Sequence, residues 1–200
     1  MKNQLRAIGD FWRQEYGRFV GMTAIAFLVL TVLAYIAGRL FPDIPVTVMS
    51  YFNDMIDSSG IVQEDGSFSV LALLGNNVRA MVLSALYGFI PFLSLPALSL
   101  GLNAAIIGML AAMMQERWLL FAAGILPHGI FELPALVLSL AAGLCLCQNI
   151  NHYIRKNEKG VMKPLMLNLL RVICLLVLPL LVVAAVMECY VTPQVMQLFM

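Results

Sequence analysis

Long apolar runs separated by short polar segments constrain the fold of this chain more than any other feature. The runs cover about residues 19–40, 70–95, 97–114, 118–148 and 165–187. A helix of about 20 apolar residues is long enough to cross the hydrocarbon core of a bilayer. Helices are favoured because a spanning segment must satisfy its own backbone polar groups in lipid. The pattern therefore predicts an all-α, polytopic transmembrane bundle of about five spans.

The composition of the chain supports a membrane protein. Hydrophobic residues make up 62% of the 200 positions and charged residues only 12%, and the mean hydropathy is +0.91. A water-soluble domain of this size could not bury so much apolar surface, so the lipid bilayer is the expected partner. The net charge of +1, without a basic stripe interleaved with aromatic residues, predicts no nucleic-acid partner.

The first 18 residues differ from the apolar runs that follow them. They include four basic residues, and their apolar and aromatic residues recur at helical spacing. This pattern predicts an amphipathic helix at the cytoplasmic membrane interface over residues 1–18. The transmembrane domain is then expected over residues 19–187, followed by a short C-terminal tail over residues 188–200.

The charges of two connecting segments predict the orientation of the chain. Residues 41–70 contain five acidic residues and neither lysine nor arginine, whereas residues 149–164 contain four basic residues and one acidic residue. Loops rich in lysine and arginine stay on the cytoplasmic side. With five spans, the N-terminus and residues 149–164 are expected inside the cell, and residues 41–70 and the C-terminus outside.

Two ionisable residues, His128 and Glu132, lie within the fourth apolar run. Residues four positions apart share a helix face, and ionisable groups at membrane depth are costly and usually functional. A neutral His128 could donate a hydrogen bond to Glu132 as a structural pair. Alternatively, the two side chains could bind a divalent metal ion, or they could serve a proton relay or a substrate.

The fourth run is longer than a single span requires, and it contains potential helix breakers. Pro127 lies between Gly124 and Gly129, and Pro134 follows Glu132 closely. A proline removes a helical hydrogen bond and disfavours helical geometry at the residue before it. This pattern predicts a broken fourth helix, with the break near residues 124–129.

Additional polar residues near the predicted membrane core could complete a site. Asn76, Asn77 and Arg79 lie near the start of the second run, and Asn103 is the only amide in the third. Two protein ligands are too few for a metal ion, so the asparagines, water or a second subunit could supply others. Structural alternatives are helix capping, interhelical hydrogen bonds and, for Arg79, an interfacial anchor.

Small residues in the third run repeat on one helix face, at positions Gly101, Ala105, Gly108 and Ala112. Such a face allows a second helix backbone to approach closely. The approaching helix could belong to the same chain or to a second copy, and self-association as a homodimer is expected.

Three segments resemble the stage II sporulation protein M family of bacterial polytopic membrane proteins. They are GNN at 75–77, GLNAAIIG at 101–108 and LPHGIFELPALVLSLAAG at 126–143. The resemblance extends from about residue 50 to about residue 185. One departure is Ala104, since the family often has glycine after this asparagine.

The resemblance implies a multi-pass protein of the bacterial cytoplasmic membrane. It implies a scaffold that assists engulfment and septal peptidoglycan remodelling together with peptidoglycan-degrading sporulation proteins. An enzyme is not expected, since the sequence contains neither H-E-x-x-H nor G-x-S-x-G. The alternative hypothesis is a transporter or channel-like protein that binds an ion or small solute at His128, Glu132 and the asparagines.

Overall fold

The computed structural model of the chain describes residues 2–58, 69–156 and 162–200. Its α-helices are α1 (Lys2–Phe11), α2 (Gly17–Leu40), α3 (Asp43–Ser58), α4 (Val70–Leu86), α5 (Leu95–Met113), α6 (Trp118–Lys156), α7 (Met162–Val172), α8 (Leu178–Val186) and α9 (Thr192–Gln197). The described ranges contain no β-strand. Residues Glu64 and Asp65 of the acidic segment, and Glu158 and Lys159 of the basic one, lie outside the described residues.

Five helical segments are long and apolar enough to cross a membrane. They are Asn3–Leu40, Val70–Phe89, Leu95–Met113, Gln115–Lys156 and Met162–Gln197. The predicted all-α fold with about five spans is therefore confirmed. The last segment extends ten residues beyond the boundary expected at residue 187, because helical structure continues to Gln197.

Short π-helical segments join α-helices without interrupting the helical rods. Trp12–Tyr16 connects α1 to α2, Ile173–Val177 connects α7 to α8, and Met187–Val191 connects α8 to α9. A π-helical turn is rare, and such turns are frequent at functional sites. The two in the last segment lie on either side of α8, and the second of them contains Glu188.

The fourth helix does not show the break expected between Gly124 and Gly129. α6 is a continuous helix of 39 residues that contains both Pro127 and Pro134. Prolines are tolerated in membrane helices because neighbouring groups and local adjustments satisfy the backbone carbonyls that they leave without a donor. At a rise of 1.5 Å per residue α6 is about 58 Å long, so the overlong run is accommodated by a long helix.

α6 forms the centre of the bundle. Ala135, Leu140, Ala141 and Cys145 on this helix are fully buried, and α6 contacts α2, α4, α5, α7, α8 and α9. The first span is more peripheral, because only 17% of its most apolar window is buried compared with 56% for the fourth. A helix that is buried on most sides positions the side chains on it through contacts with several neighbours.

Glycines allow the closest helix contacts in the bundle. A Cβ atom added to Gly143 on α6 would lie 2.5 Å from the carbonyl oxygen of Ser84, and one added to Gly88 would meet the backbone of Gly143. On α5, a Cβ atom at Gly108 would collide with the backbone of α2 at Thr31. The Gly108 part of the small-residue face is therefore used for packing within the chain.

The N-terminal segment is helical, as expected, and packs against the bundle. Ile8, Phe11 and Tyr16 belong to the main hydrophobic core. The hydroxyl group of Tyr16 donates a hydrogen bond of 2.5 Å to the carbonyl oxygen of Leu138. This contact attaches the start of the first span to the middle of α6.

The turn between α4 and α5 lies at the same end of the bundle as the end of α6. The backbone N–H of Phe92 donates to Oδ1 of Asn151 at 3.1 Å, and the Arg155 guanidinium lies 5.8 Å from the centre of the Phe92 ring. Two even-numbered spans thus end on one side, as a five-span topology requires.

Candidate functional site

Three ionisable side chains meet between α6 and the last span. His128 and Glu132 come from α6, and Glu188 comes from the π-helical segment Met187–Val191. One potential ligand atom of each residue lies within 4.8 Å of the others. Together with Thr192, which contacts His128, these residues are called the polar cluster below.

The register of two antiparallel helices brings the polar cluster together. Thr192 lies opposite His128, and Glu188 lies beside Glu132 and His128. One turn further out, the Met196 side chain lies opposite Gly124. Because each helix presents a residue every four positions, His128 and Glu132 meet Thr192 and Glu188 along one continuous seam.

The imidazole ring of His128 makes a different contact with each nitrogen. Nδ1 lies 3.2 Å from Oγ1 of the buried Thr192, and Nε2 lies 3.8 Å from Oε2 of Glu132. The first distance is that of a hydrogen bond, whereas the second is too long for one. Thr192 therefore orients the ring so that Nε2 faces the carboxylate of Glu132.

The carboxylates of Glu132 and Glu188 are partly buried. The His128 and Glu132 side chains are 15% and 27% exposed, and Glu188 is half-buried. Within residues 2–58, 69–156 and 162–200, no group of the protein donates a hydrogen bond to either Glu132 or Glu188. Two carboxylates this close repel each other when both are charged, so the cluster favours a bound proton or cation.

The polar cluster lies toward one end of the bundle and inside two spans. His128 is ten residues from the start of α6 at Trp118, which corresponds to about 15 Å along the helix. Thr192 begins α9, which ends at Gln197.

Of the other predicted site residues, Asn77 is the one whose polar side chain is buried. Its side chain is 9% exposed, and its Nδ2 atom has no hydrogen-bond partner among the residues that the structure describes. Asn76 and Arg79 are exposed, and Nδ2 of Asn103 donates to the carbonyl oxygen of Ser99 at 2.8 Å. In the described part of the chain, no hydrogen bond connects these four residues with the polar cluster.

Asn77 nevertheless lies on the face of α4 that packs against the site helices. One turn before it, Leu73 packs with Ala185 and Cys189 of the last span. One turn after it, the carbonyl oxygen of Met81 accepts a hydrogen bond from Ser139 of α6. The position of Asn77 is therefore about one turn from the polar cluster along the bundle axis.

Sequence reasoning missed Glu188 and Thr192. The last apolar run was expected to end at residue 187, which left both residues in the tail. The available signal was their spacing of four, which repeats the spacing of His128 and Glu132, in a segment that remains rich in apolar residues to Met200.

The donor atoms of the cluster define what it can do chemically. One imidazole nitrogen and two carboxylates are ligands for divalent first-row transition metals. The same groups can share or relay protons across a short distance. Both forms of chemistry require the His128 and Glu132 side chains that the sequence indicated, together with Glu188.

The match to a protein family covers both helices of the site. The family model described as stage II sporulation protein M matches residues 19–193, which include the entire polar cluster. An uncharacterized protein of Methanocaldococcus jannaschii is 29% identical over 173 residues, which cover 84% of this chain and 94% of that protein. No solved structure matches the chain.

Proposed function

Because this chain belongs to the stage II sporulation protein M family, we propose that it is a non-enzymatic membrane scaffold for peptidoglycan remodelling. The proposed location is the bacterial cytoplasmic membrane, with the N-terminus in the cytoplasm. In a spore-forming host the process would be engulfment, and the partners would be peptidoglycan-degrading sporulation proteins. The family match over nearly the entire five-span bundle is the observation that carries this proposal.

α3 offers the scaffold a surface for such partners outside the membrane. Its first turns are anchored by the buried residues Pro45 and Met49, and the helix contacts α2 and α5. Val46 and Tyr51 of this helix are both exposed, the latter with 73% of its surface accessible. Exposed apolar and aromatic residues beside polar ones are typical of protein interfaces.

Co-purification from the native host tests the scaffold. The tagged chain is expected to retain a peptidoglycan-degrading activity that is detected by zymography of the purified complex. The double variant Val46→Ala/Tyr51→Ala should lose this activity while its membrane level is unchanged. The control Leu198→Ala/Met200→Ala changes exposed residues at the C-terminus and should retain it. Equal co-purified activity with both double variants would reject the proposed surface on α3. No co-purified activity with the unmodified chain would reject the scaffold.

Self-association as a homodimer is part of the same proposal. In the described part of the chain, no atom lies within 4 Å of a Cβ added to Gly101 on α5, so this part of the small-residue face is open there. A second copy could approach there. Gly101→Leu should then reduce cross-linking between two differently tagged copies, whereas Gly75→Leu, at another open glycine, should not.

The polar cluster supports a second candidate function, a transporter or channel-like protein for an ion or small solute. Ionisable residues of two spans that converge at membrane depth commonly mark such pathways. The double variant His128→Gln/Glu132→Gln separates the candidates. Loss of ion flux into proteoliposomes with retained partner co-purification would support transport, and retained flux would reject it.

A further inference from the structure

We propose that His128, Glu132 and Glu188 bind one divalent first-row transition metal ion, such as Zn²⁺, and thereby join α6 to the last span. This inference does not depend on the scaffold or on the transporter, because a metal ion could stabilise either. It rests on the donor atoms, their distances, the orientation of His128 and the charge of the cluster.

The donor set matches that of known metal sites. Zn²⁺ binds histidine nitrogen and glutamate oxygen at about 2.0–2.2 Å and is usually four-coordinate. His128, Glu132 and Glu188 supply one nitrogen and two oxygens. Three protein ligands leave a fourth position for water, as in many catalytic and exchangeable zinc sites.

The distances require only a small movement of the side chains. Ligand atoms around a tetrahedral metal are about 3.4 Å apart when each lies about 2.1 Å from it. Nε2 of His128 and Oε2 of Glu132 are already 3.8 Å apart, and all three ligand atoms lie within 4.8 Å of one another. The separation of any two ligand atoms therefore exceeds the tetrahedral distance by no more than about 1.4 Å.

Thr192 provides the outer support that a metal-binding histidine usually has. Such a histidine donates its second ring N–H to a protein acceptor, which selects the tautomer and directs the other nitrogen to the metal. Nδ1 of His128 contacts Oγ1 of Thr192 at 3.2 Å. When Nδ1 carries the hydrogen, the lone pair of Nε2 faces Glu132, and a cation between them would be attracted by both.

The surroundings make a cation favourable at this point. Within the described residues, no lysine or arginine forms a salt bridge with Glu132 or Glu188. Metal ions are often the largest local charge in a site and stabilise ionised carboxylates there.

Metal binding by the purified full-length protein tests the proposal. The protein in detergent is stripped with a chelator, titrated with Zn²⁺ or Co²⁺, and desalted before elemental analysis. One ion per chain is expected, and the visible absorption of bound Co²⁺ should indicate a tetrahedral site. Glu188→Gln and His128→Gln should each lose stoichiometric binding. The controls Glu116→Gln and His152→Gln lie outside the cluster and should retain it.

A further variant protects the test against loss of folding. Thr192→Val removes the support of His128 but none of the three ligands, and it should weaken the metal affinity about 10–100-fold. Each variant is first checked for monodispersity and helical content. The proposal would be overturned by less than about 0.1 ion per chain in the folded native protein, or by unchanged metal binding in folded Glu188→Gln. Either result would favour protonated carboxylates in the cluster instead of a metal ion.

Discussion

Nδ1 of His128 and Oγ1 of Thr192 lie 3.2 Å apart, although 64 positions separate the two residues in the chain. The contact joins α6, the most buried helix, to the beginning of α9. It also turns the other ring nitrogen of His128 toward Glu132. The contact therefore joins two helices and also sets the direction of the His128 ring. Its contribution to stability and its contribution to metal binding can be measured separately.

Thr192→Val should destabilise the fold modestly. The change keeps the shape of the side chain but removes the hydroxyl group that contacts His128. A hydrogen bond of this kind contributes about 1 kcal/mol to the free energy of unfolding. Thermal unfolding in detergent, without added metal, is the measurement. Thr47→Val is the control, because its hydroxyl donates to the carbonyl oxygen of Asp43 within α3 at an exposed position. An equal loss of stability in both variants would contradict a specific role of Thr192.

Gly143→Ala should destabilise the bundle more strongly. The new methyl group would lie 2.5 Å from the carbonyl oxygen of Ser84 and 2.8 Å from Cγ of Pro96, so the contact of α6 with α4 and α5 must open. Overpacking of this kind costs roughly 1–3 kcal/mol. Gly75→Ala, which has open space around it, should be neutral or slightly stabilising because alanine favours helix. The same unfolding assay compares the two variants, and a stable Gly143→Ala protein would contradict the close packing.

Tyr16→Phe should loosen the N-terminal segment. The tyrosine side chain is fully buried and donates to the carbonyl oxygen of Leu138, and its loss should cost about 1 kcal/mol. Because that carbonyl belongs to the interior of α6, the helix itself should remain intact. Limited proteolysis near residues 2–11 should become faster, whereas Tyr51→Phe, at an exposed position of α3, should leave the rate unchanged.

The expected orientation of the chain can be tested by cysteine labelling. In a variant without the four native cysteines, Ile44→Cys and Met200→Cys should react with a membrane-impermeant maleimide in intact cells. Gln4→Cys should react only after permeabilisation, since basic segments remain cytoplasmic. The reverse labelling pattern would show that the orientation is inverted. Labelling of all three positions in intact cells would place both termini outside, which contradicts an odd number of spans.

The sequence predicted two residues of the polar cluster and the membrane-spanning run that contains them. His128 and Glu132 were recognisable because an ionisable pair within an apolar run is rare and costly. The break at Pro127 was expected from the properties of proline, but α6 is continuous. In a bundle, neighbouring groups and local adjustments can satisfy the carbonyl groups that a proline leaves without a donor. Asn103 bonds to its own helix, an alternative that its sequence context could not distinguish from a site ligand.

Hydrophobicity alone determined that this chain is an all-α membrane protein with about five spans. This outcome follows from local physics, because each apolar run must satisfy its backbone within itself and has a length set by the bilayer. The partners of His128 were decided only by tertiary structure, since Glu188 and Thr192 reach it through the register of two antiparallel helices. That register places Met196 against Gly124, and it includes the π-helical turn Met187–Val191. Neither is encoded in a local pattern, because both are set by packing between segments that are far apart in the chain.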